Sequence, residues 1–175
     1  MPQSEQMLQG EWMLQSGQMP RGGQMPKNVQ NCQTAEAVRG SECRIRRMTP
    51  EDAAAAAALE RECFSEPWSE NAYLGTLADE NALYLAAERE DGTLAGICGV
   101  LNILGEGDIS NVAVAQPFRR RKIAERMLEE LLRQGRENGI TAFTLEVRAS
   151  NEAAVRLYEK FGFVQEGRRR NFYKK

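Results

Sequence analysis

From Arg44 onward the apolar residues switch period repeatedly, and the order of those switches constrains the fold more than any other feature. Ala82–Arg89 and Thr93–Leu101 read as strands joined by Glu90-Asp91-Gly92, an Asp-Gly hairpin signal. Ile109–Ala115 follows as a strand after the loop Gly105–Gly107. Helical spacing then takes over at Ile123, Met127, Leu128, Leu131 and Leu132, and Asn138-Gly139 closes that helix. Thr141–Arg148 reads as a strand, Ser150–Phe161 as a helix, and Gly162-Phe163-Val164 starts a last strand. Upstream, Arg44–Met48 is a short strand. Thr49-Pro50-Glu51-Asp52 supplies a cap, a first-turn proline and acidic residues for a helix. That helix runs through six alanines, Ala53–Ala58, to Phe64, which gives it high helix propensity but a thin apolar face. Ser65–Ser69, with Pro67 and Trp68, breaks it before a second helix, Glu70–Ala78. Antiparallel strands followed by a β-α-β-α-β run predict one mixed α/β (α+β) domain, a length of 175 residues being ordinary for a single core.

Residues 1–42 have another texture. Methionines stand at 1, 7, 13, 19 and 25, a strict six-residue period, and glutamine closes four of the five blocks. Fixed periods usually mean stacked units. Here Met, Gln, Gly and Pro offer too little apolar surface to offset chain entropy. The expectation is a low-complexity tail over 1–42 without stable structure, and a domain over 43–175.

The chain has no histidine, which excludes a Ser-His-Asp triad, a Cys-His dyad and any His-ligated zinc or haem. Acid–base chemistry must use carboxylates, Tyr, Lys, Cys or water. The cysteines, Cys32, Cys43, Cys63 and Cys98, have no metal-type spacing, so no metal site is expected, and reduced thiols point to the cytoplasm. A net charge of −2 gives no general attraction to nucleic acid, and no apolar run is long enough for a membrane helix. Neither partner is expected.

Two stretches can carry chemistry. In Asn111-Val-Ala-Val-Ala-Gln-Pro-Phe-Arg-Arg-Arg-Lys-Ile-Ala124 a strand ends, a basic turn follows, and a helix begins. A helix start exposes unpaired N–H groups and the positive end of its dipole, and Arg119–Lys122 add charge beside them. Cations there oppose the dipole unless an anion such as pyrophosphate sits between. In Leu145-Glu146-Val147-Arg148-Ala149-Ser150-Asn151, alternation puts Phe143, Leu145 and Val147 on one face and Glu146 on the other. A strand carboxylate is ordinarily a solvated or salt-bridged residue. Tyr158 falls on the inner face of its helix, where a core tyrosine is the commoner case.

These residues, with Phe64-Ser65-Glu66-Pro67-Trp68-Ser69, Leu157-Tyr158 before Gly162-Phe163, and Arg169-Arg170-Asn171-Phe172-Tyr173, resemble the GCN5-related N-acetyltransferases. Within that superfamily they resemble the bacterial ribosomal-protein-alanine N-acetyltransferases. The resemblance runs from about Arg44 to Tyr173 and leaves the methionine repeat outside. It implies a mostly antiparallel central sheet, splayed where acetyl-CoA binds and flanked by helices. Backbone groups of Val112, Ala113 and Val114 would hold the acetyl and pantetheine portions. The turn Arg120, Arg121, Lys122, Ile123, Ala124, Glu125 would wrap the pyrophosphate, and Asn151 would bind the pantetheine arm. Glu146 resembles the general base and Tyr158 the general acid. Trp68, Arg170, Asn171 and Tyr173 would line the groove for a protein N-terminus.

The sequence departs from that pattern in two places. Lys122 stands where the turn usually has glycine, so its Cβ would crowd the phosphates or strain the turn. The chain also ends at Lys175, where relatives continue into a final apolar strand, which would leave an open edge. The expected activity is acetyl transfer from acetyl-CoA to an N-terminal α-amine, with alanine of a small-subunit ribosomal protein as the leading acceptor. The competing expectations are the same fold acting on a small-molecule amine or a lysine, and a coenzyme A-binding module with weak turnover.

Overall fold

The computed structural model describes residues 10–16 and 43–170, with backbone alone at 10–16 and 168–170. Seven strands form one sheet in the order β2-β3-β4-β5-β6-β1-β7. They are β1 (Gly10–Ser16), β2 (Cys43–Arg47), β3 (Ala82–Arg89), β4 (Leu94–Ile103), β5 (Glu106–Val114), β6 (Ala142–Arg148) and β7 (Phe163–Arg170). The helices are α1 (Ala53–Cys63), α2 (Glu70–Leu77), α3 (Ile123–Glu137) and α4 (Glu152–Lys160). Every neighbouring pair is antiparallel except β5 and β6. The expected mixed sheet flanked by helices is the one observed.

Helices cover both faces of the central strands, which is why β3 and β4 are apolar almost throughout. On one face Leu83, Leu85, Val100 and Phe143 pack under α3 residues Met127, Leu128 and Leu131, with Tyr158 of α4 and Phe163 of β7. On the other face Tyr84, Ala86, Ile97 and Ala113 pack under Ala53, Ala56 and Ala57 of α1 and Tyr73 of α2. The alanine stripe therefore forms a real core face, narrow enough to lie close on β4 and β5. A single 3-10 turn, Pro50–Asp52, leads into α1 as the Thr49-Pro50 signal predicts. Ser69 caps α2, its hydroxyl accepting from the Ala72 amide at 3.2 Å.

Two expectations need correction. The loop Gly105–Gly107 is shorter than read: the turn is Leu104-Gly105, both at positive φ (53° and 91°), and β5 already begins at Glu106. Two left-handed residues match the twist of a tight hairpin, so β4 and β5 pair up to that turn. The second correction concerns the repeat tail. Gly10–Ser16 forms β1, antiparallel to both β6 and β7, with Met13 opposite Glu146 on one side and Gly167 on the other. This window contains no proline, and its backbone occupies hydrogen-bonding edges that β6 and β7 would otherwise expose. Residues 1–9 and 17–42 of that tail lie outside the described residues.

Candidate active site

The sheet parts at β5. Its parallel pairing with β6 runs only from Glu106 opposite Ala142 to Ile109 opposite Leu145. The next residue, Ser110, is the extra residue of a bulge against β4, since Gly99 faces Asn111 while Val100 faces Ile109. A bulge bends its strand and sharpens the local twist. Beyond it, Asn111–Val114 pairs with β4 only, and Glu146–Arg148 of β6 pairs with β1 only. Asn111–Val114 of the expected strand Ile109–Ala115 thus has β4 on one side and no paired strand on the other, leaving a cleft-like gap between β5 and β6.

Alternation sets which amides face that cleft. The Ala115 amide donates to the Ala95 carbonyl of β4 at 2.9 Å. Ala113, two residues back, shares that side, which turns the N–H groups of Val112 and Val114 toward the parted side. The Val114 carbonyl, turned the same way, accepts from Arg119 Nε at 2.9 Å and lies 3.7 Å from the Cys63 thiol. Arg119 is therefore folded back onto the strand.

After Gln116–Phe118 the chain turns through Arg120 and Lys122, both in the left-handed region at φ 65° and 60°. Lys122 is the N-cap of α3 and makes no capping side-chain bond. The first intrahelical bond is Arg126 N–H to Lys122 C=O at 3.0 Å, so the Ile123, Ala124 and Glu125 amides lack intrahelical partners. The Phe118 ring lies under the Arg89 and Arg121 guanidinium groups, at 4.9 and 5.8 Å. Glu125, whose carboxylate would repel phosphate, is paired with Lys160 of α4. Unsatisfied amides among cations suit an anion such as pyrophosphate. The expected strain at Lys122 is present, and Arg120 shares it.

Across the cleft, Glu146 is exposed on β6 while Leu145 and Val147 are buried. Its face is that of Arg148, whose Nη2 reaches Ser65 Oγ at 2.9 Å, so the carboxylate stands on the side of the α1–α2 loop. Tyr158 is on the opposite face, packed on Phe163 with ring centroids 5.8 Å apart. Burial holds its phenol well above the usual value, so it stays protonated. The structure therefore puts Glu146 and Tyr158 on opposite faces of β6. Asn151 caps α4, its Oδ1 accepting from the Ala154 amide at 3.2 Å, with its Nδ2 available to a ligand.

Trp68 lies over the sheet against Tyr73 and Tyr84, at centroid distances of 5.5 and 6.2 Å. Arg170 ends β7 opposite Gly10, while Asn171 and Tyr173 lie outside the described residues. Sequence reasoning missed Glu60, Asn111 and Tyr84, which form a buried polar group beneath Trp68. One signal existed for Glu60: it continues the spacing Ala53, Ala56, Ala57, a carboxylate on an apolar stripe. Among the described residues no cluster of His, Cys, Asp or Glu could hold a metal, and no helix is long and apolar enough to cross a membrane.

A sheet parted beside a bulged strand, facing a helix start built for an anion, is the architecture of an acyl-coenzyme A transferase. Comparison with known proteins gives the particular family: the chain belongs to the acetyltransferase (GNAT) family, whose model matches residues 53–163. It is 36% identical over 122 residues to a ribosomal protein bS18-alanine N-acetyltransferase of Salmonella typhimurium, covering 70% of this chain and 81% of that one. It is also 36% identical over 137 residues to N-alpha-acetyltransferase RimI of Mycobacterium tuberculosis, covering 74% and 84%. Among solved structures, the ribosomal-protein-S18-alanine N-acetyltransferase of Escherichia coli matches with a TM-score of 0.70 and 31% identity, over 76% of this chain and 84% of that one.

Proposed function

We propose that this chain acetylates the N-terminal α-amine of a protein, with N-terminal alanine of a small-subunit ribosomal protein as the favoured acceptor and acetyl-CoA as donor. The observation that carries this reading is the parted β5–β6 edge, with Glu146 on the loop side and the uncapped α3 amides at its end. The relatives that act on ribosomal protein bS18 supply the acceptor class. The same chemistry fits the cytoplasm, where acetyl-CoA and ribosomal proteins meet.

The residues divide the work by face. The amides of Ile123, Ala124 and Glu125, with Arg120, Arg121 and Lys122, hold the pyrophosphate, and Asn151 Nδ2 and the Val112 backbone hold the pantetheine arm, the expected Ala113 N–H and C=O being turned to β4 instead. Acetyl-CoA supplies an activated acyl carbon on a good leaving group. An α-amine has a pKa of about 7.7–8.0, so Glu146 working through a water is a strong enough base for it. The amine forms its C–N bond to the acetyl carbon, and the Val114 N–H steadies the developing oxyanion. The attached nitrogen then gives its extra proton to the same water, which passes it to solvent; the C–S bond breaks, and Tyr158 gives its phenolic proton to the leaving thiolate and recovers one from solvent. Trp68 lines the acceptor side.

Incubation with acetyl-CoA and peptides of varied first residue tests this. Thiol release with an N-terminal alanine peptide is expected, and no release with any α-amine peptide would refute the reading. A second reading, a coenzyme A-binding module with weak turnover, draws on the left-handed Arg120 and Lys122. Calorimetry with coenzyme A beside the turnover assay separates the two, since tight binding without product selects the module. A small-molecule amine or lysine as acceptor would show as release confined to those compounds.

A further inference from the structure

Glu60 is the most deeply buried carboxylate among the described residues, at 1% exposure. A buried carboxylate is tolerated only when donors replace its water. Here three donors come from three different elements. The Trp68 backbone N–H, in the α1–α2 loop, donates to Oε2 at 2.6 Å. The Tyr73 hydroxyl, on α2, donates to Oε1 at 2.7 Å. The Asn111 side-chain amide, on β5, donates to Oε1 as well.

The group continues into the bulge that parts the sheet. The Tyr84 hydroxyl bonds Ser110 Oγ at 2.5 Å and lies 3.3 Å from Asn111 Oδ1. Tyr73 and Tyr84 meet edge to face at 6.1 Å, with Trp68 tilted over both. Burial, and then its bond to Glu60, hold the Tyr73 phenol far above its usual value, so it remains a donor. One carboxylate thus bonds the backbone under Trp68 and, through Asn111, the strand whose amides border the cleft.

We infer that Glu60 is a positioning residue for the acceptor: it fixes the height of the Trp68 loop over β5, and so the place of the incoming amine relative to Val114 and Glu146. This rests on the reading that the Trp68 loop lines the acceptor groove. A carboxylate accepts at both oxygens and donates at neither, so it can meet all three donors at once. Glutamine has the same shape but presents an NH2 to one of them, which sets donor against donor.

The test is Glu60→Gln in a Trp12→Phe background, so that Trp68 is the sole indole. Three quantities are read: KM for an N-terminal alanine peptide, the coenzyme A dissociation constant, and acrylamide quenching of Trp68. The expected result is a rise of about tenfold or more in peptide KM, with coenzyme affinity unchanged and quenching increased. Unchanged peptide KM and quenching would overturn the inference. So would an equal loss of coenzyme affinity, which a merely structural role would produce. Tyr73→Phe removes one donor and keeps the carboxylate. If Glu60→Gln does not fold, a rise of roughly threefold in peptide KM for Tyr73→Phe supports the inference, and no rise overturns it. Trp68→Ala separates the two levels. An unchanged KM in that variant overturns the acceptor reading of the loop, whereas a raised KM there with a normal Glu60→Gln overturns the Glu60 inference alone.

Discussion

Replacing Lys122 with glycine is expected to stabilise the protein, because the α3 N-cap holds a side chain in a backbone region that disfavours one. Lys122 sits at φ 60° and ψ 17°, makes no capping bond, and lies at the positive end of the helix. A Cβ in the left-handed region costs about 1–2 kcal/mol, and glycine returns about 0.5–1 kcal/mol of that as unfolded-chain entropy. Removing a cation from the helix start adds about 0.3 kcal/mol or more, reduced by solvent screening at this exposed site. The net expectation is about 1 kcal/mol, or roughly 2–4 °C in Tm for a chain of this size. Lys122→Ala is the control, since it removes the charge and keeps the Cβ. Denaturant unfolding of the three proteins should give glycine about 1 kcal/mol above alanine, with alanine near the parent. Equal stability of the glycine and alanine variants would refute the strain argument. A glycine variant less stable than the parent would refute it more strongly.

Three further outcomes follow from the geometry. Glu146→Gln and Tyr158→Phe should each lower kcat by about 10²–10⁴-fold with coenzyme A affinity kept, read by steady-state kinetics and calorimetry. Full turnover in both would return Glu146 to a surface carboxylate and Tyr158 to a core ring. Arg46 grips Asp52 at 2.7 and 2.9 Å and holds its carboxyl below the usual range, so the folded state binds its proton less readily than the unfolded chain. That stabilisation is complete above the unfolded carboxyl pKa of about 4 and fades as pH falls through the lowered folded value. Asp52→Asn should therefore cost about 1–2 kcal/mol at neutral pH and flatten the acid limb of the stability profile, which thermal unfolding across pH would show. Deleting residues 1–16 should speed amide exchange in β6 and β7 by roughly tenfold or more, because β1 pairs with both. Unchanged protection would show that β1 does not hold those strands.

The parts of the fold legible in the sequence are those set by local pattern. The spacing of Ile123, Met127, Leu128, Leu131 and Leu132 gives α3 directly, and all five are buried. The Asp91-Gly92 turn gives the β3–β4 hairpin, with Gly92 at φ 83°. The start of β5 was not legible, because Gly105–Gly107 reads as a loop. Gly107 instead lies in the strand, where a Cβ would meet Phe143, Ile140 and Val100 at 2.8 to 3.0 Å. The strand β1 was hidden by the composition around it, since its place depends on edges that β6 and β7 form far along the chain. Of the site, alternation placed Glu146 on its face, and the basic turn marked the helix start. Glu60 escaped notice because a carboxylate in an alanine stripe reads as solvated, and its burial depends on donors from a loop, a second helix and a strand.

The central claim is α-amine acetylation at the parted edge of β5, and mass spectrometry of the product tests it most directly. An alanine-initiated peptide that also contains an internal lysine would be incubated with acetyl-CoA and the protein, then fragmented. The account predicts one acetyl group on the first-residue fragment ion, with its yield abolished by blocking the α-amine. Acetyl on the lysine alone, or no acetyl on either amine, would contradict it.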